Sequence, residues 1–102
     1  MIVQFSIVPI GTGESLSEFV SHIAGVVENS GLPYSLNAMG TVVEGRWEEV
    51  MALIKECKTR ALKETGRAFI NISMDVRPAK PMDRMREKVR SVQQKSGGRL
   101  KE

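Results

Sequence analysis

The chain has 102 residues, of which 41% are apolar and 26% charged, and its formal charge is +3. That length suits one domain with a modest core, and the composition excludes a wholly disordered chain. A single cysteine, Cys57, excludes an intramolecular disulfide and fits a reducing compartment, and no stretch reaches the roughly 18 apolar residues of a membrane span.

Residues 2–8 are predicted to form a strand: Val3, Phe5 and Ile7 alternate with Gln4 and Ser6, and Pro9 ends the run. A loop, Gly11-Thr12-Gly13, leads to a helix opened by the capping-box spacing of Ser15 and Glu18. Its apolar face is read as Leu16, Phe19, Val20, Ile23, Val26 and Val27. Gly31 supplies a left-handed stop, with Leu32 folding back on Val27, and Pro33 keeps the helix from resuming. Residues 34–44 give two short strands around Met39-Gly40, where Gly40 marks either a turn or a bulge.

A second helix is predicted from about Gly45 to Gly66. Glu48 and Glu49 suit its positive end, and Lys58, Arg60 and Lys63 suit its negative end. Trp47, Val50, Met51, Ile54, Cys57 and Ala61 form its stripe, with Trp47 expected to anchor the helix start against the sheet. In residues 67–77, Ala68, Ile70, Ile72, Met74 and Val76 share one face of a strand, opposite Asn71, Ser73 and Asp75. A third helix is predicted from Pro81 to about Ser96, turning Met82, Met85, Val89 and Val92 toward the body.

The order β-α-β, β-α-β, helix predicts an α+β, ferredoxin-like βαββαβ sandwich. Two helices cover one face of a four-stranded antiparallel sheet. Residues 1–96 form this one domain, and 97–102 a basic flexible tail. The second face carries Gln4, Ser6, Asn37, Asn71 and Ser73, flanked by Ile2 and Val8. Such a face suits self-association, by sheet stacking or edge pairing, or the floor of a ligand site.

No residue set reads as catalytic. His22, the one histidine, lies off the apolar face of its helix, and Cys57 lies on an apolar stripe, where thiols are inert packing groups. The histidine, the cysteine and scattered carboxylates make no metal-ligand set. Gly11-Thr12-Gly13 is neither a dinucleotide fingerprint nor a phosphate loop, since Leu16 replaces the third glycine and no Lys-Ser/Thr follows. Basic residues cluster in 80–102, but no aromatic stands among them to stack on bases, so nucleic acid is not an expected partner.

The segments Val3–Thr12, Ser15–Val20 and Tyr34–Gly45, above all Met39-Gly40-Thr41 with Glu44-Gly45, resemble the YkoF-like thiamine-binding family. The resemblance spans residues 1–77. It implies a ferredoxin-like fold, homodimers that pair into tetramers through their sheets, and binding of thiamine or its hydroxymethylpyrimidine part, with no enzyme activity and no cofactor beyond that ligand. On that reading Ser6, Asn37, Met39, Thr41, Glu44, Asn71 and Ser73 are the candidate ligand-binding residues. Glu44 or Asp75 would face the thiazolium charge, the polar side chains would meet the aminopyrimidine, and Met39 or Trp47 would pack on a ring. The expected location is the cytoplasm. Two other readings share the fold: a ligand-free homo-oligomeric interaction module, and an acylphosphatase-like hydrolase, for which residues 9–15 lack the required Arg.

Overall fold

A computed structural model describes residues 1–11, 16–78 and 84–98. Strand β1 (Ile2–Pro9) occupies an inner position of the sheet, whose order is β2-β3-β1-β4, with β2 (Tyr34–Asn37), β3 (Gly40–Glu44) and β4 (Ala68–Asp75). Its alternation has the expected effect: Val3, Phe5 and Ile7 are buried on one face, against helices α1 (Leu16–Asn29) and α2 (Trp47–Glu64). All pairings are antiparallel. The fold is α+β and ferredoxin-like, as the pattern predicts.

Register fixes which residues share a face. Gln4 lies opposite Val42 and Ser73, Ser6 opposite Asn71, and Val8 opposite Phe69. With Ser35 opposite Val42 and Asn37 opposite Gly40, the face away from α1 and α2 carries Gln4, Ser6, Asn37, Asn71 and Ser73. Thr41 pairs with Phe5 and Leu36, so it belongs to the helix-covered face, while Glu44 pairs with Ile2 on the other.

The alternatives at Gly40 resolve into a two-residue turn, Ala38-Met39, with unbroken register on both sides. Gly40 has φ +154°, and a Cβ there would stand 2.8 Å from the Phe5 carbonyl oxygen. Only glycine lets β3 approach β1 so closely.

Helix α1 buries Phe19, Ile23, Val26 and Val27, and Gly31 takes the left-handed φ of +75° just beyond its end. The Ser30 hydroxyl donates to the Val27 carbonyl at 2.5 Å and accepts the Leu32 amide at 3.2 Å, which turns the chain. Val20, expected in this core, is exposed. Ser15 and the Thr12-Gly13 part of the preceding loop lie outside the described residues.

Helix α2 begins at Trp47, not Gly45. The Glu49 carboxylate accepts the Arg46 backbone amide at 2.9 Å and the Arg46 Nε–H at 3.3 Å. These bonds hold the Glu49 carboxyl below its ordinary pKa, with the backbone amide the largest cause. Trp47 does not anchor the helix in the core: it stands at the start of the first turn, 55% exposed and outside the core cluster. Leu53 takes a place in the stripe beside Val50, Ile54, Cys57 and Ala61.

Helix α3 (Arg84–Lys95) departs most from expectation. Pro81 and Met82 lie outside the described residues. Met85 is half-buried, but Val89 and Val92 are exposed and not turned into the body. The second sheet face is therefore not wholly open, because α3 covers its Glu44 end. The tail residues 99–102 lie outside the described residues.

Candidate functional site

Two cavities meet at the tip of the β2–β3 hairpin. The first lies on the sheet face away from α1 and α2, has a volume of about 230 Å³, and is lined by Gln4, Phe5, Ser6, Met39, Asn71 and Ser73. Strand alternation builds it: Gln4 and Ser6 from β1 stand beside Ser73 and Asn71 from β4. Its walls offer two carboxamides and two hydroxyls, groups that both donate and accept hydrogen bonds.

The second cavity, about 360 Å³, opens between α1 and the hairpin. β3 ends at Gly40, so the last residues of β1 have no neighbour on that side, and the gap is walled by Phe19, Val20, Ile23 and Ala24 of α1 and by residues 36–41. It is a mainly apolar cleft with Ser6, Asn37 and Thr41 at its edge. Its volume falls within the roughly 300–1,000 Å³ of small-molecule sites. Phe5, Ser6 and Met39 line both cavities, and Met39 is 82% exposed between them.

Six of the seven candidate residues thus gather around one corner of the sheet: Ser6 and Met39 in both cavities, Asn37 and Thr41 in the cleft, Asn71 and Ser73 on the face. Glu44 does not join them. It lies at the opposite end of β3, 1% exposed, where its carboxylate accepts the Met85 backbone amide at 3.3 Å. Asp75 is engaged by the Lys88 ammonium at 2.5 Å. The two carboxylates expected to face a cation therefore hold α3 instead. None of the described residues lining either cavity is charged.

Sequence reasoning placed Gln4 on this face but not in the site, although its period-two spacing from Ser6 was the available signal. It missed the α1 wall, because Phe19 and Ile23 read simply as core. Cys57 is fully buried on α2, away from both cavities, and burial pushes its thiol up to about 11. Among the described residues no group of three or more His, Cys, Asp or Glu is placed to hold a metal, and no helix is long and apolar enough to cross a membrane.

A family model described as thiamine-binding protein matches residues 3–93. A UPF0045 protein of Mycobacterium bovis is 38% identical over 94 residues, 91% of each chain. Another, from Synechocystis, is 37% identical over 95 residues, 91% of this chain and 77% of that one. Among solved structures, a hypothetical protein of Methanocaldococcus jannaschii superposes with a TM-score of 0.79 at 30% identity, covering 89% of this chain and 93% of that one. A Thermotoga maritima protein, proposed to act in thiamine biosynthesis or salvage, shares the fold with a TM-score of 0.76 at 23% identity over 89% and 96% of the chains.

Proposed function

Because the chain belongs to the thiamine-binding protein family, we propose that it binds thiamine or its hydroxymethylpyrimidine half, without converting it, as part of a homo-oligomer. The observation that carries this reading is the convergence of Ser6, Asn37, Met39, Thr41, Asn71 and Ser73 on two adjoining cavities.

The chemistry of the walls selects the half of the ligand that enters. A thiazolium cation loses hydration on burial and needs a carboxylate in return, and the described lining residues supply none. The neutral aminopyrimidine suits the site better. Its ring matches the apolar cleft, and its amine and ring nitrogens match the hydroxyls and carboxamides at the rim. The thiazolium then remains near solvent, beside the exposed Met39. Glu44 anchors α3 and takes no direct part.

The buried free thiol of Cys57 accords with a reducing compartment, here the cytoplasm. Isothermal titration with thiamine and with hydroxymethylpyrimidine tests the reading. Both are expected to give saturable heats, with affinities within about tenfold of each other. No heat and no thermal shift with either at millimolar ligand removes it. Binding of thiamine alone removes the assignment of the pyrimidine to the cleft.

A second reading draws on the size of the face cavity, which at about 230 Å³ is smaller than an ordinary ligand site. Here the face serves only to join copies of the chain. Ser73→Arg then dissociates an oligomer that never bound ligand.

A further inference from the structure

Met39 stands where the two cavities meet, and it is the most exposed of the described methionines. It is the second residue of the hairpin turn and 82% exposed, against 40% for Met74, while Met1, Met51 and Met85 are half-buried. Cys57, the only cysteine, is fully buried on α2. Oxidation of sulfur side chains follows exposure and, for cysteine, thiolate character. A peroxide that meets this folded chain therefore reaches a thioether before it reaches a thiol.

The Met39 side chain also forms part of two walls. It lines the apolar cleft together with Val20, Ile23 and Leu36, and the face cavity together with Gln4 and Asn71. Gly40 fixes its position, because the next step of the chain lies too close to the Phe5 carbonyl for any side chain. An oxygen on the sulfur turns a flexible apolar lip into a polar, chiral one. At an exposed tip the new S–O dipole is hydrated, and the fold is left intact. Seating an apolar ring against it strips that water away, which opposes binding.

We propose that Met39 is a reversible oxidation site through which a peroxide lowers the affinity of the cleft for its ligand. The thioether sulfur attacks one oxygen of hydrogen peroxide. The S–O bond forms and the O–O bond breaks. The proton of the transferred hydroxyl passes to the departing hydroxide, which leaves as water. Sulfur loses two electrons and the peroxide gains them. A dithiol-dependent sulfoxide reductase reverses the step: the oxygen leaves as water and the dithiol becomes a disulfide. The effect on ligand rests on the cleft being the binding site; the selectivity for Met39 does not.

Graded hydrogen peroxide on the full-length chain, followed by peptide mapping in a mass spectrometer, tests the site. Met39 should gain its oxygen at least about tenfold faster than Met51 or Met85, with the circular dichroism spectrum unchanged. Calorimetry on chain oxidised at Met39 should then show hydroxymethylpyrimidine binding about tenfold weaker, restored by sulfoxide reductase with dithiothreitol. Whatever the affinity of Met39→Leu, peroxide should not move it. Equal rates at Met39 and Met51 overturn the proposal. So does an affinity that stays within about twofold after oxidation, or one that the reductase does not restore. If the untreated chain binds neither thiamine nor the pyrimidine, the ligand reading falls by itself. The apolar dye anilinonaphthalene sulfonate then reads the same wall: its affinity should fall on oxidation of wild type and hold in Met39→Leu. An unchanged dye affinity in wild type overturns the proposal.

Discussion

The Glu44 carboxylate, buried on β3, accepts the backbone amide of Met85 at the start of α3, 41 residues further along the chain. An acidic group at a helix N-terminus satisfies an otherwise orphaned amide and complements the positive end of the dipole. Helix α3 is fastened to the sheet by this bond and by the Lys88–Asp75 pair, which is exposed and adds little. Glu44→Ala should cost about 2 kcal/mol in urea unfolding, and Glu44→Gln, which keeps an acceptor, about 1. Trypsin should also cut Glu44→Ala faster at Arg86, Lys88 and Arg90. Unchanged cleavage would show that α3 is held by something else.

The hairpin tip depends on a missing side chain. Gly40→Ala brings a Cβ to 2.8 Å from the Phe5 carbonyl oxygen, at a backbone φ of +154°. The expected loss is about 2 kcal/mol, with ligand affinity falling as Met39 and Asn37 shift. Gly25→Ala is the control. It lies inside α1 with nothing within 4 Å of an added Cβ, and should stabilise by about 0.5–1 kcal/mol. Thermal melts of the two variants moving in the same direction would contradict this geometry.

Asn37 and Thr41 offer hydrogen-bonding groups at the rim of the cleft. Asn37→Leu and Thr41→Val should each weaken pyrimidine binding by about tenfold, the effect of one lost hydrogen bond of about 1.4 kcal/mol. Glu44→Gln should leave affinity within about twofold of wild type. If Glu44→Gln abolishes binding while Asn37→Leu does not, the site lies at the other end of the sheet.

Burial holds the Cys57 thiol neutral up to about pH 11, against an ordinary value near 9. Above pH 9 the unfolded chain releases this proton and the folded chain keeps it. Stability from this group is therefore intact below pH 9 and declines between about 9 and 11. Wild type should lose on the order of 2 kcal/mol more than Cys57→Ala across that window. Parallel unfolding curves for the two would show the thiol to be solvated. An aromatic disulfide reagent at pH 8 should label native Cys57 only as fast as the protein opens.

Local pattern was enough to read β1, β4 and, apart from Val20, the described core face of α1, because alternation and helical spacing are properties of a few neighbouring residues. It also put Ser6, Asn71 and Ser73 on one face, since three polar positions at period two leave little choice. Gly40 was ambiguous because a turn and a bulge use the same residue, and the deciding contact comes from Phe5, 35 positions away. Glu44 looked available to a ligand for a similar reason: its partner lies on α3. Val89 and Val92 carry the spacing of a buried stripe, yet both are exposed, because helical spacing does not say whether anything covers the stripe. Trp47 was misplaced because size and apolarity say nothing about which side of a helix start meets the core.

β1 is the first strand in the chain, yet its neighbours are residues 41–44 on one side and 68–75 on the other. During synthesis Val3, Phe5 and Ile7 emerge long before anything can cover them. The sheet closes only after Asp75 clears the ribosome, when β4 docks along a strand made some seventy residues earlier. Such non-local closure slows folding and leaves an apolar strand unpaired in the meantime. Until β4 is in place, the outer edge of β1 is an open backbone ladder on which wrong pairings can form.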